Sequence, residues 1–200
     1  MNKNDIDLVK KYYKVNADSL ALIYNDLGPR NEHIKEAFSY LNKKNPRVLE
    51  LGCGNGRDAK EILKLTKNYT GVDFSSEMIE IAERINPSGK FIVADILNYT
   101  FPRNVDLMLS FASFVHFNKS KLKNIFSKAF SSLEKGGIFY IALYEGKYYK
   151  RIRRDELGER IFYYYSKEDI EKLVNDFKII KIHSETRTKG VWLNIILQKT

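Results

Sequence analysis

The apolar positions change period several times along the chain, and each change marks an element. Over residues 5–27, Val9, Tyr13, Ala17, Leu20, Tyr24 and Leu27 step by three or four, which predicts one amphipathic helix ended by Gly28-Pro29. A second helical stretch puts Ile34, Ala37, Phe38 and Leu41 on one face. Asn45-Pro46 breaks the pattern, and Val48, Leu49 and Leu51 then form the continuous apolar run of a strand buried on both faces. Beyond it, short strand-like runs at 69–73, 90–94, 105–111 and 138–144 alternate with helical faces. Those faces carry Ala59, Ile62, Leu63 and Leu65, then Met78, Ile81, Ala82 and Ile85, then Leu122, Ile125, Phe126, Ala129 and Leu133, the last helix ending at Gly136-Gly137. Such alternation predicts a mostly parallel sheet covered by helices. A long connection then runs to Tyr165, and SKED at 166–169 opens a helix in the manner of a capping box. Residues 177–183 and 191–198 are two strand-like runs joined by a polar turn ending at Gly190, a hairpin that would close the sheet.

Candidate chemistry gathers at VLELGCGNGRDA, residues 48–59, a buried strand entering a glycine turn and then a helix that starts near Arg57. Gly52, Gly54 and Gly56 let the backbone bend and approach a ligand. The register is not that of a dinucleotide fingerprint, because Arg57 stands where the third glycine belongs. Glu50, two residues before Gly52, would repel a pyrophosphate and attract a cation. S-adenosylmethionine, with its sulfonium and α-ammonium groups, suits that acid. Asp73 ends the next strand 23 residues after Glu50, near the spacing at which this kind of fold offers a carboxylate to ribose hydroxyls.

These segments resemble the class I S-adenosylmethionine-dependent methyltransferases. Residues 48–59 are similar to that family's first motif, and the likeness continues through 71–78, 91–97, 106–117 and 133–140, about the central half of the chain. The resemblance implies a Rossmann-like three-layer α/β sandwich with a seven-stranded, mostly parallel sheet whose last strand is antiparallel. It implies one domain over 1–200, with 1–44 as a helical cap on the substrate side and 45–200 as the catalytic core. For the cofactor, S-adenosyl-L-methionine, Glu50 and the turn Gly52-Cys53-Gly54 through Gly56 would hold the methionine end, with Cys53 as a small packing residue. Arg57 is a candidate for the cofactor carboxylate, and Asp73 for the ribose. Asp95 and Ile96 are candidates for the adenine, with Phe74 against its face. Ser110 and Phe111 would line the methyl channel. His116, beyond the fourth strand, is the candidate catalytic residue, able to accept a proton at its ordinary pKa of about 6.5.

Charge modifies this picture at one place. The net charge of +9 is spread along solvent faces except at 147–154, where Lys147, Lys150, Arg151, Arg153 and Arg154 are interleaved with Tyr148 and Tyr149. Overhanging the site, such a segment would favour an anionic small-molecule acceptor or, in a second reading, contact RNA phosphates. DNA amino-methylation is disfavoured, since residues 110–113 read SFAS rather than the Asn/Asp-Pro-Pro-aromatic segment of that group, and cytosine C5 chemistry lacks its cysteine. The glycine turn is also compatible with a nicotinamide oxidoreductase and with a non-catalytic S-adenosylmethionine-binding protein. The single cysteine, the polar first residues and the absence of a long apolar run predict a cytoplasmic chain without a membrane span or metal site.

Overall fold

The computed structural model describes residues 3–188 and 190–200. In chain order the elements are α1 Lys3–Val15, α2 Ala17–Leu27, α3 Asn31–Ser39, β1 Val48–Leu51, α4 Ala59–Leu65, β2 Tyr69–Asp73, α5 Ser76–Ile85, β3 Lys90–Val93 and β4 Val105–Phe111. They continue as α6 Lys119–Ser132, β5 Leu133–Glu145, β6 Tyr149–Asp155, β7 Gly158–Tyr165, α7 Lys167–Leu173, β8 Lys178–Arg187 and β9 Gly190–Gln198. Strands β3-β2-β1-β4-β5 are parallel, and β9 lies antiparallel on β5 with β8 outside it. These seven strands are the expected Rossmann-like sheet with its closing hairpin.

The core lies along β1, β4, β5 and β9, where Leu51, Leu107, Leu109, Ile141, Leu143, Ile195 and Leu197 are wholly buried. Each such side chain contributes about 1.5–3 kcal/mol relative to exposure. Among the described residues no helix is long and apolar enough to cross a membrane.

Four expectations need correction. The single helix over 5–27 is two helices, because the Asn16 amide donates to Tyr12 O (2.8 Å) and Leu157 O (3.0 Å), competing with the helical ladder. The helix after the glycine turn begins at Ala59 with Asp58 as its N-cap, two residues beyond Arg57. The α6 helix ends at Ser132 rather than at Gly136-Gly137. Leu133 already pairs with Val105, and Gly136, at φ +79°, sits in an irregularity of β5.

The largest correction concerns 147–165, which is not a long connection but the antiparallel hairpin β6–β7, bringing the sheet to nine strands. Strand-favouring aromatic and β-branched residues, Tyr149 and Ile152 on one side and Ile161 to Tyr165 on the other, flank the turn at 155–158. Its placement follows from the pairing. Tyr144 of β5 has Trp192 of β9 on one edge and Tyr164 of β7 on the other, the edge that β4 occupies as far as Ala142. The hairpin therefore continues the sheet beyond the carboxyl end of β4.

Candidate functional site

The strand order reverses between β1 and β4, and a cavity of about 560 Å³ opens over their carboxyl ends, where doubly wound sheets bind ligands. A smaller cavity of about 40 Å³ adjoins it beside α1 and carries Asp95 and Ile96. Gly52, Asp73, Phe74, Ser113 and His116 line both.

On the β1–β3 side, Glu50 is buried and accepts a 2.6 Å hydrogen bond from the Tyr69 hydroxyl. Burial, reinforced by the Asp58 charge, pushes its pKa up to about 8, against the pull of Tyr69, Arg30 and Arg57. A carboxyl so disposed is ready to ionise toward a cation. The turn after it comes close to its neighbours: a Cβ on Gly52 would lie 2.2 Å from Ser113 Oγ, and one on Gly56 would meet Asn86 Nδ2 and the Ala82 methyl. Cys53 is buried, and burial raises its thiol pKa well above the ordinary value, which makes it packing rather than a nucleophile.

Asp73 is oriented by backbone. Its Oδ2 accepts from Gly54 N–H and its Oδ1 from Ser75 N–H, both at 3.0 Å, while burial keeps its pKa raised. Ser75, not Asp73, caps α5 by accepting from Met78 N–H. Asp95 is half-buried, accepting from Leu97 N–H (2.9 Å) and from Lys10 Nζ of α1 (2.8 Å). Burial raises its pKa, but Lys10 and that N–H outweigh it and the net shift is downward. No local pattern pointed to Lys10, whose partner is 85 residues away. Ile96 is buried beside Asp95, and Phe74 meets the Tyr13 ring edge-on at 5.9 Å.

Arg57 is not a surface residue. Its Nε lies 3.7 Å from Asp58 and its guanidinium 5.5 Å over Tyr24. Asp58 also accepts from Arg30, through its backbone N–H at 2.8 Å and its guanidinium, so one buried acid holds two arginines and leaves α4 without a side-chain cap. Phe111 lines the main cavity, but Ser110 lines neither; it points away from Phe111 on a strand and is wholly buried, its hydroxyl unpartnered among the described residues. Ala112 then adopts φ +64°, at a cost of about 1 kcal/mol, and turns the chain into the short 3-10 helix Phe114–His116.

His116 does reach the cavity, yet both ring nitrogens are engaged. Nδ1 lies 2.5 Å from Ile161 O, so it donates, and Nε2, 3.0 Å from the Tyr13 hydroxyl, accepts. Burial lowers its pKa to about 4. The ring joins α1, the 3-10 helix and β7, and in this geometry its acceptor nitrogen is occupied.

From the sequence, only Arg153, in the basic segment expected to overhang the site, pointed to the far side of the cavity. That side is lined by Tyr144 of β5, Arg153 of β6, Arg160 and Phe162 of β7, and Arg187 and Trp192 of the β8–β9 hairpin. The aromatic and β-branched content of 149–165 around its turn was the available signal; the meeting of β6, β7 and β9 at one place has no local signature.

Residues 48–137 match a family described as "Methyltransferase domain". The chain is 30% identical over 72% of its length to malonyl-[acyl-carrier protein] O-methyltransferase 1 of Ilyobacter polytropus, of which it covers 56%. It is 33% identical over 55% of its length to sterol 24-C-methyltransferase ERG6A of Gibberella zeae, covering 30% of that protein; the chain spans between about a third and about half of these relatives. Its fold is that of an S-adenosylmethionine-dependent methyltransferase from Clostridium acetobutylicum (TM-score 0.73, 18% identity, covering 91% of this chain and 98% of that one). The same holds for 1,6-didemethyltoxoflavin-N1-methyltransferase of Burkholderia thailandensis, solved with bound 1,6-didemethyltoxoflavin and S-adenosylhomocysteine (TM-score 0.71, 18% identity, covering 95% and 89%). Motif order, strand order and the match over residues 48–137 agree: that part of the chain is a methyltransferase domain, similar to those of the class I S-adenosylmethionine-dependent methyltransferases.

Proposed function

We propose that the protein transfers the methyl group of S-adenosylmethionine to a small molecule. The observation that carries this is the convergence of Glu50, Asp73 and Asp95, one acid at or just past each of three neighbouring strand tips, on two adjoining cavities. The residues fit the cofactor. Glu50 would hold its ammonium end, Asp73 the ribose hydroxyls on lone pairs left free by Gly54 and Ser75, and Asp95 with Ile96 and Phe74 the adenine. Arg57, turned toward Asp58, is better placed to shape the wall than to reach the cofactor carboxylate.

Bound there, S-adenosylmethionine supplies an electrophilic methyl group on a sulfur that leaves as a neutral thioether. The chain's own work is then alignment and exclusion of water. Residues 3–44, the described part of the expected cap over 1–44, serve as that cap: α1 is tied to the rim by Lys10–Asp95, by Tyr12 to Asp155, and by Asp5 to Lys150. His116 acts as a positioning residue that fixes Tyr13 and β7, rather than as a general base.

The small-molecule reading gains support from the basic segment, because Lys150 pairs with Asp5, Arg154 with Glu159, and Arg153 lines the cavity, instead of forming one open stripe for RNA. A cytoplasmic setting belongs to the same proposal. Calorimetry with S-adenosylhomocysteine and NADH tests it. Saturable binding of the first without the second is expected, and the reverse would overturn the reading.

A further inference from the structure

Five arginines line the main cavity, and among the described residues four have a carboxylate within ion-pair distance. Arg30 and Arg57 share Asp58, Arg160 has Asp155 at 2.6 Å, and Arg187 has Glu185 at 2.6 Å. Arg153 differs. Its partners are the hydroxyls of Tyr144 and Tyr164, and it stacks over the rings of Tyr144 (4.5 Å) and Phe162 (4.8 Å). A half-buried guanidinium with neutral partners and a cavity in front of it retains N–H donors and an uncompensated charge, which favours an anion.

The walls narrow the choice further. Trp192 lies 4.2 Å from Tyr144, Phe162 crosses Tyr144 at 5.6 Å, and Phe111 faces the same cavity. Arg187, held by Glu185 and by His33 at 2.6 Å, lies 5.2 Å over Trp192, so cations flank the Tyr144–Trp192 pair on both rings. Flat apolar walls accept a flat apolar body, and a guanidinium fork suits a carboxylate.

We infer that the methyl acceptor is a planar aromatic carboxylate whose anionic group is bound by Arg153, with its ring against Tyr144, Phe162 and Trp192. The word acceptor rests on the methyl-transfer proposal; the anion site does not. Trp192 is the only tryptophan in the chain, so intrinsic fluorescence reports from the slot itself.

The test is a titration of the full chain, with and without S-adenosylhomocysteine, using benzoate and phenylacetate against benzamide, phenylacetamide and the non-planar cyclohexanecarboxylate. Saturable quenching of Trp192 by the aromatic carboxylates, about tenfold tighter than by the amides, is expected. Arg153→Met should abolish that preference and Arg153→Lys should retain part of it. Equal binding of amides, a preference that survives Arg153→Met, or no quenching of the wild-type chain by any carboxylate would overturn the inference. Should Arg153→Met not fold, the wild-type ranking of carboxylate over amide and of flat over puckered ring decides it. Carboxylate preference without any response to S-adenosylhomocysteine would uphold the anion site and dismiss the donor reading instead.

Discussion

At the ends of β1, β2 and β3 the crevice presents three carboxylates held by backbone N–H groups, a phenol and a lysine, while at β5, β6, β7 and the β8–β9 hairpin it presents arginines among aromatic rings. The first half is suited to a cationic donor and the second to an anionic partner. The halves also differ in how they are held. The acids take hydrogen bonds from the Tyr69 phenol, from backbone N–H groups and from Lys10, whereas the arginines rest on carboxylates and aromatic faces, such as Arg153 on Tyr144 or Arg187 on Glu185 and Trp192. Charge segregation across one cavity thus comes with two kinds of support, hydrogen-bond donors on the acidic side and carboxylates with aromatic rings on the basic side.

The largest expected effect breaks the boundary between the halves. Asp58→Ala leaves Arg30 and Arg57 facing each other without their shared acid, and should cost about 3 kcal/mol or more of stability in chemical denaturation. Retention of wild-type stability would mean that solvent already compensates those arginines. Next, Asp73→Ala should weaken S-adenosylhomocysteine binding by about 1–3 kcal/mol in calorimetry, with no change in the response of Trp192 to benzoate. A parallel loss of both would show that the halves are not separable.

The pH dependence sharpens the comparison. Glu50 is protonated in the folded chain up to about pH 8 but ionised in the unfolded chain above its ordinary 4.5, so its contribution to stability falls as pH rises between those values. By the same linkage a cationic ligand that needs the ionised form should bind more tightly as pH rises from about 6 toward 7.5, by up to about tenfold per unit, and release a proton. Glu50→Gln should flatten that slope, measured in buffers of different ionisation enthalpy; a slope unchanged by the substitution would remove Glu50 from the site.

The smallest effect belongs to His116. Its folded pKa of about 4 lies below the ordinary 6.5, so the unfolded chain takes up more protons between these values and stability falls as pH drops through them. His116→Gln should soften that acid limb while leaving no histidine-like inflection to be lost from the pH profile of kcat/KM. Loss of such an inflection would restore a general-base role.

Much of this was legible in one dimension. The runs at 48–51, 69–73, 90–94 and 105–111 read as strands of a mostly parallel sheet because short apolar runs alternate there with helical faces, and Glu50, Asp73 and Asp95 stood out because an acid at or just beyond such a strand has few places to go but the crevice. Ser110 failed as a lining residue for an equally simple reason: one step of a period-two pattern turns it to the other face from Phe111. His116 was found but not its task, because the Tyr13 hydroxyl and the Ile161 carbonyl that occupy it lie 103 and 45 residues away.

The order of strands and helices, the glycine turn and the acids after the first three strands were fixed in one dimension, since each depends on residues within a few positions of one another. Long-range packing decided that 147–165 would fold as a hairpin over the end of β4, that Lys10 would meet Asp95, and that Arg153 would face a cavity without a carboxylate beside it. Those outcomes depend on which free sheet edge a strand finds and on how charges from distant segments neutralise one another, and neither is written in local periodicity.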